Sequence, residues 1–258
     1  MGLTYTAAHI TSGQAFIIAL WYYFMCGSSW TFGMGYYSFA KPLFSGYFVG
    51  LVLGLPYEGM IIGAQINLLY IANISAGGSQ AADPLLAGVL GTALALGSGA
   101  NYEQALVFAV AIGLAGNLRH ISHMTVNSTW THFAERHALK GNYKGIFLWQ
   151  VVIPQALYAT TAISLVYLAT MYGPEYVVSI LTNLPQWAVN GLSAVGGVLP
   201  AVGICMNLNL IGKANTIPFF FIGFMLVKYL AFSNVVVAVI GALIAYIGVF
   251  GVKPRISY

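Results

Sequence analysis

The stretch GMIIGAQINLLYIANISAGGSQAADP, residues 59–84, decides how this chain folds. It starts as an apolar run that a lipid bilayer tolerates, and near its end lies Asp83, the only aspartate of the chain. Four amide side chains interrupt the run, at Gln65, Asn67, Asn73 and Gln80. Because a buried polar group needs a hydrogen-bond partner, these side chains predict either contacts between helices or a binding site for a polar ligand.

The composition is that of a membrane protein. Of 258 residues, 59% are hydrophobic and 5% are charged, against roughly 25% charged in an ordinary soluble domain. A membrane-spanning helix needs about 20 mostly apolar residues, so the chain has room for about seven to nine crossings of the lipid bilayer. The sequence therefore predicts an all-α polytopic membrane protein. No basic run lies on a soluble face, so the net charge of +4 does not indicate nucleic-acid binding.

The apolar segments differ in length between the two halves of the chain. They fall at 13–34, 42–56, 59–74, 84–98, 103–118, 146–172, 187–211, 216–232 and 234–251. The first and the last four are long enough to span a bilayer, whereas glycine or proline interrupts the short segments between them. Irregular backbone at membrane depth is stable only inside protein or beside a water-filled cavity, so the short segments predict hairpins and broken helices around a substrate site.

Close packing of helices through small residues is an alternative explanation of these glycines. It accounts for Gly88 and Gly91, but it leaves the amides and Asp83 unexplained. The predicted organisation is one membrane domain over residues 1–258, with a substrate-site region at about 35–118 and scaffold or oligomer helices at 146–258.

The one long polar connection, residues 117–145, indicates the orientation. Its basic side chains outnumber the acidic one, with Arg119, Arg136, Lys140 and Lys144 against Glu135. The positive-inside rule therefore predicts that this connection is cytoplasmic. Counting the later segments as spans places YGPEY, residues 172–176, outside and the C-terminus inside. Aromatic residues at segment ends, such as WYYF at 21–24, indicate a belt at the membrane interface.

Asp83 has two compatible interpretations. An ionisable group in a membrane segment usually lines a cavity or has a function. The sequence AADPLLAG also predicts a helix that begins at Pro84, with Asp83 as its N-cap.

The amides fit a ligand covered with hydroxyl groups, because each amide offers donors and an acceptor. Hydrogen bonds between helices are the alternative for Gln65, Asn67 and Asn73. On a helix Gln65 and Asn67 lie about 200° apart, so both can face one pocket only where the backbone breaks.

No catalytic residue, metal site or cofactor is predicted. The pairs His120/His123 and His132/His137 have spacings that suit metal ligands on a helix, but only Glu135 accompanies them, so a solvated amphipathic helix is favoured. The chain contains no GxSxG, HExxH or P-loop sequence. Cys26 and Cys205 lie in apolar segments and are expected to be buried packing residues.

Two parts of the sequence carry a resemblance to a known family. FAKPLFSGYFVGLVLGLPYEGMIIGAQINLLYIANISAGGSQAADPLLAGVLGT, and later LPQWAVNGLSAVGGVLPAVGICMNLN with IPFFFIGF, resemble the enzyme IIC subunit of the mannose/sorbose/N-acetylgalactosamine family of bacterial sugar phosphotransferase systems. The similarity runs from about residue 40 to near the C-terminus and is weakest at 117–145.

The resemblance implies a sugar-translocating subunit in the bacterial plasma membrane. Its implied partners are a carbohydrate substrate, the membrane subunit IID and the cytoplasmic subunits IIB and IIA, and the implied oligomer is a homotrimer. The phosphoryl donor is then a histidine of IIB, which explains a chain without catalytic groups of its own. The implied substrate-binding residues are Tyr36, Gln65, Asn67, Asn73, Gln80 and Asp83.

The chain departs from the family pattern at two places. GAQIN stands where many members have Gly-Gly-x-x-Glu, so Asn67 replaces a carboxylate, and Gly35 and Tyr36 stand where members often carry acids. Loss of an acceptor for two sugar hydroxyls argues against plain mannose and predicts an amino sugar or a uronate-containing oligosaccharide. Two other functions remain open: an ion-coupled sugar transporter that uses Asp83, Glu58 or Glu103, and a membrane subunit that binds nothing small.

Overall fold

The computed structural model describes residues 7–26, 39–71, 82–213 and 216–248, and all regular structure in these ranges is helical. In chain order the helices are α1 (Ser12–Met25), α2 (Pro42–Leu53), α3 (Pro56–Leu69), α4 (Pro84–Ser98), α5 (Tyr102–Ala138), α6 (Tyr143–Phe147), a π-helical segment (Leu148–Val152), α7 (Ile153–Asn183), α8 (Gln186–Ile211), α9 (Ile217–Leu230) and α10 (Asn234–Tyr246).

The described helices include two that are long and apolar enough to cross a membrane, namely 37 residues of α5 and 41 residues from Tyr143 to Asn183. The helices α2, α3 and α4 have 12, 14 and 15 residues. At about 1.5 Å per residue, these are shorter than the roughly 30 Å of a bilayer core. Short helices in the first half, predicted from the interrupted apolar segments, are therefore present in the structure.

Glycines form the turn between α2 and α3 and let the two helices pack closely. Gly54 ends α2 with φ of 79°, a left-handed conformation that glycine adopts without strain, and Pro56 then begins α3. A Cβ added to Gly46 would lie 2.6 Å from the carbonyl oxygen of Gly59 and 2.6 Å from the Cα of Gly63. The two helices therefore touch backbone to backbone, and both explanations of the glycines, a hairpin and close packing, apply here.

The helix α4 lies at the centre of the core. Every residue from Leu85 to Leu96 is buried, and α4 packs against α2, α3, α5 and α7. Its start confirms the prediction from AADPLLAG, because Asp83 is the N-cap and Pro84 the first helical residue. Asp83 is thereby placed at the point where the buried helix begins.

The polar connection expected at 117–145 is mostly helical and continuous with the apolar segment before it. The helix α5 continues through it to Ala138, and only residues 139–142 separate α5 from α6. No glycine or proline occurs between Asn117 and Lys140, so nothing in this stretch ends a helix. Its hydroxyl side chains bond back to carbonyls of their own helix, as Ser122 does to Leu118 at 2.8 Å. The change from apolar to polar composition near residue 117 therefore does not mark the end of a helix.

Two other expectations are corrected. The first apolar segment, predicted to run to residue 34, forms a helix that ends at Met25, and residues 27–38 lie outside the described part. Cys205 is exposed on α8 instead of buried, and Cys26 is partly buried.

The chain divides into two compact units, Met1–Cys205 and Met206–Tyr258. Within the second unit α9 packs against α10, and neither helix has a buried residue. Their surface is apolar, with large exposed side chains such as Phe219, Phe221 and Val235. The scaffold or oligomer role of residues 146–258 stays a prediction.

Candidate functional site

The carboxylate of Asp83 is fixed by the start of α4. Its Oδ1 accepts a hydrogen bond of 3.0 Å from the backbone N–H of Leu86, and its own N–H donates to the carbonyl of Gly113 on α5 at 2.8 Å. Only 4% of Asp83 is exposed. Asp83 is therefore the N-cap that the sequence predicts, and packing against α5 buries its side chain.

The other carboxylate oxygen of Asp83 has two donors. Oδ2 accepts a hydrogen bond of 2.7 Å from the hydroxyl of Tyr22 on α1 and a second one of 3.3 Å from Nη2 of Arg119 on α5. The side chain of Arg119 is 14% exposed, so the two charges form a largely buried ion pair. Because an isolated buried charge is strongly unfavourable, each member makes the other tolerable in the apolar interior.

Two tyrosine rings flank the guanidinium of Arg119. The rings of Tyr22 and Tyr158 have their centroids 5.3 Å and 5.2 Å from its central carbon. The Sγ of Cys26 lies 3.4 Å from Nη2, and the hydroxyl of Tyr158 donates to the carbonyl of Cys26 at 3.2 Å. We name these five residues, Tyr22, Cys26, Asp83, Arg119 and Tyr158, the Arg119 cluster; they join α1, α4, α5 and α7.

Small residues on α5 allow this close approach. A Cβ added to Gly116 would lie 2.6 Å from the Cβ of Asp83 and 2.9 Å from Cδ2 of Leu86. One turn earlier, Gly113 packs against the hydroxyl of Tyr70, which donates to the carbonyl of Ala109 at 3.2 Å. The end of α3 is thus tied to the same face of α5 that carries Arg119.

The two described amide candidates lie on α3. Gln65 and Asn67 are both partly buried, and neither makes a hydrogen bond to any residue that the structure describes. The helix is continuous from Pro56 to Leu69, so it has no break between them, and they point about 200° apart. One pocket therefore cannot receive both side chains. The candidates Tyr36, Asn73 and Gln80 lie outside the described residues.

Arg119, Tyr22 and Tyr158 were not predicted as site residues. Arg119 was interpreted as a topogenic charge of a connection, and Tyr22 as part of an interfacial belt. The structure corrects both, because the two side chains meet at Asp83 inside the helix bundle. A signal did exist: Gly113, Gly116 and Arg119 recur every three residues, which places them near one face of a helix.

The neighbours of the α5 histidines His123 and His132 do not form a set of metal ligands. The ring of His123 packs at a tilt of 53° against the ring of Tyr158, with centroids 4.5 Å apart, and its Nε2 lies 3.3 Å from the amide of Asn127. His132 lies 3.9 Å from Glu135 on the exposed side of the helix. The described ranges contain no group of three His, Cys, Asp or Glu side chains that could hold a metal ion.

Comparison with known proteins gives one consistent family. The family model described as the sorbose-specific IIC component of the phosphotransferase system matches residues 12–247. The sorbose-specific EIIC component of Lacticaseibacillus casei is 30% identical over 210 residues, which cover 80% of this chain and 75% of the relative. The mannose-specific EIIC component of Escherichia coli K12 is 30% identical over 81% of this chain and 79% of that protein.

Two solved structures resemble the fold. One, described only as a membrane protein, has a TM-score of 0.79 at 24% identity and covers 95% of this chain and 98% of its own. The other, a complex of the mannose transporter ManYZ with microcin E492, has a TM-score of 0.58 at 25% identity and covers 96% and 98%. The all-α membrane fold is thus confirmed, and the chain belongs to the sorbose-type IIC family of sugar permease components of the phosphotransferase system.

Proposed function

We propose that this chain binds a sugar within the membrane, carries it across and presents one hydroxyl to a phosphorylated IIB subunit. The family match over residues 12–247 carries this proposal. In such a division of labour the membrane subunit positions the sugar and excludes water, while the partner supplies the phosphoryl group. The movement is a rocking of a site region around the α2–α3 hairpin against longer helices, by analogy with transporters built from short and long segments.

The proposed partners are the membrane subunit IID and the cytoplasmic subunits IIB and IIA, around a homotrimer of this chain. Similarity to the mannose transporter ManYZ supports assembly with a second membrane subunit. The test is the uptake rate of a labelled sugar panel in cells that express this chain with and without IID and IIB. Uptake that needs both partners supports the proposal, and equal uptake by the chain alone contradicts it.

The proposed substrate is an amino sugar or a uronate-containing oligosaccharide. The family resemblance implies that Asn67 stands in place of a glutamate. A site with an amide there has one strong acceptor fewer for a pair of sugar hydroxyls, and one negative charge fewer. The relatives reported above are named for sorbose and mannose, so the family tolerates different sugars.

Ion coupling is less well supported. A coupling carboxylate must exchange an ion or proton in each cycle, but both oxygens of Asp83 are occupied by Leu86, Tyr22 and Arg119. Glu58 and Glu103 lie in the first turns of α3 and α5, where the helix dipole stabilises a negative charge.

Replacing Asn67 with alanine is expected to weaken sugar binding about two- to tenfold, because one hydrogen bond contributes roughly 0.5–1.5 kcal/mol. The side chain bonds to no described residue, so the thermal stability should stay near that of the parent. Equilibrium binding of the sugar identified by uptake measures the first effect. The matched control is Asn190→Ala on the exposed surface of α8. Equal losses in both variants, or lost stability in Asn67→Ala alone, would contradict a ligand role.

The proposed orientation places the turn after α5 and the C-terminus in the cytoplasm. Single cysteines at Lys140 and at Glu175, in a chain whose own cysteines are replaced, should respond differently to an impermeant thiol reagent in intact cells. We expect Glu175→Cys to react and Lys140→Cys to react only after the cells are opened. The reverse pattern would overturn the orientation.

A further inference from the structure

The helix α5 and the helical run that follows it are longer than a bilayer requires. They have 37 and 41 residues, whereas about 20 residues cross the roughly 30 Å of the hydrocarbon core. The apolar part of α5 ends near residue 118, and the helix then continues to Ala138, for about 30 Å. We name the far end of this pair, residues 127–152, the distal hairpin; it comprises the last turns of α5, the turn after it, α6 and the π-helical segment.

Aromatic rings join the two sides of the distal hairpin. Trp130 and Phe133 on α5 stack on Trp149 of the π-helical segment, with ring centroids 5.8 Å and 4.7 Å apart. Nearer the turn, Gly145 of α6 packs directly on the ring of His137. The hairpin therefore presents a preformed surface, and a partner that binds to it pays little for ordering it.

Large apolar side chains are exposed at the tip of the distal hairpin. Leu139 in the turn is 89% exposed, and Tyr143 and Phe147 on α6 are 72% and 57% exposed. Tyr143 and Phe147 are four residues apart, which places them side by side on one helix face. On a part of the chain that lies beyond the hydrocarbon core, such a group of exposed apolar side chains marks an interaction site.

The same tip is basic. Arg136, Lys140 and Lys144 are exposed, and Glu135 is the one acidic residue between 127 and 152. Glu135 lies 3.9 Å from His132, and in the part of the chain that the structure describes no carboxylate lies within 4.0 Å of the three cations. These charges are therefore available to an anionic partner, whose approach they would accelerate.

The distance from the bilayer favours a protein over lipid headgroups as that partner. The headgroup layer is about 5–8 Å thick on each side, so the tip of a 30 Å extension lies about 20 Å beyond it. Attraction to an anionic leaflet falls off within a Debye length of about 8 Å. The usual helix tilt of about 20° shortens the extension by only a few per cent. A soluble protein that carries negative charge fits this position better.

We propose that the distal hairpin is the docking surface for the phosphorylated IIB subunit. The inference rests on the proposed function and on the proposed cytoplasmic side of the turn after α5. A phosphoryl group brings a charge of about −1.5 to −2 at pH 7, which complements the cations at the tip. Tyr143 supplies the main apolar contact, because a large amphipathic ring at the centre of an interface contributes most to affinity. Lys140 and Lys144 steer the encounter.

The test measures binding of IIB to the complex of this chain with IID in nanodiscs of neutral lipid, by biolayer interferometry at low and high salt. Tyr143→Ala should weaken the affinity for IIB about tenfold or more, mainly through faster dissociation. Lys140→Gln, Lys144→Gln should slow association of phosphorylated IIB about tenfold at low salt and less at high salt, because salt screens steering charges. Unphosphorylated IIB should lose less from the lysine substitutions.

Matched controls remove the same groups elsewhere. Tyr176→Ala deletes a tyrosine that is 70% exposed near the other end of α7. Lys213→Gln, Lys228→Gln removes two exposed lysines of the second compact unit. Both controls should bind IIB as the parent does. All six side chains are exposed, so none of these variants should lose folded protein.

Three outcomes would overturn the proposal in different ways. If the parent binds IIB and the hairpin variants bind it equally well, the docking surface lies elsewhere and the phosphotransferase function stands. If the lysine variant differs from the parent only in nanodiscs with anionic lipid and without IIB, its charges serve the membrane surface. If the parent complex binds neither form of IIB, the proposed function itself fails.

Discussion

Replacing Gly59 with valine is expected to destabilise the folded chain strongly. A Cβ at this position would lie 2.5 Å from the carbonyl oxygen of Gly46 and 2.6 Å from the Cα of Gly50. Both obstacles are backbone, so no rotamer change can relieve them, and α2 and α3 must separate. We expect a loss of about 3 kcal/mol or more, at the upper end of what overpacking costs. The yield and melting temperature of detergent-extracted protein measure it.

The control for this prediction lies elsewhere in the same chain. A Cβ added to Gly241 on α10 meets nothing within 4 Å. Gly241→Val introduces the same side chain into a helix without a clash, and it should extract in normal yield. If Gly59→Val were as stable as Gly241→Val, the direct backbone contact of α2 and α3 would be refuted.

Replacing Asp83 with alanine is the second change with a large expected effect. It removes the N-cap of the central helix α4 and leaves Arg119 buried without its counter-charge. Breaking a buried ion pair costs about 3–5 kcal/mol, and loss of a cap adds about 1 kcal/mol. We expect little folded protein in the membrane, which fluorescence-detected size-exclusion chromatography can measure.

The double variant Asp83→Asn, Arg119→Gln separates the effect of the ion pair on stability from the effect of the N-cap. It keeps a capping side chain and removes both charges, so it should be much more stable than Asp83→Ala and than Arg119→Gln alone. The matching single variants are Asp83→Asn and Arg119→Gln. If their losses of stability simply add in the double variant, the two side chains do not interact, and the ion pair is refuted as a source of stability.

The helix limits of the first half could be predicted because local signals mark them. Pro42, Pro56 and Pro84 each stand at the first turn of a helix, and Gly54 and Gly99 end helices in left-handed conformations. These signals act over a few residues, so they need no knowledge of the partner helices. Position 117 carries no such signal, and the end of α5 was placed there only because the composition changes.

The candidate site was harder to predict than the fold. Asp83 stood out as a single acid in an apolar run, and its role as a cap followed from Pro84. Its partners Tyr22 and Arg119 are 61 and 36 residues away in the sequence. Hydropathy and local spacing cannot pair residues at that separation, and a basic residue near the end of an apolar segment is usually a topology signal. Gln65 and Asn67 stay predictions as ligand residues.

The central claim is that this permease subunit delivers its sugar for phosphorylation during uptake. The most direct measurement is the chemical form of the sugar that accumulates in cells expressing this chain with IID and IIB, determined by mass spectrometry of the cytoplasm. The account predicts a sugar phosphate from the earliest time point and none when IIB is omitted. Accumulation of the unmodified sugar in cells that lack IIB would contradict it.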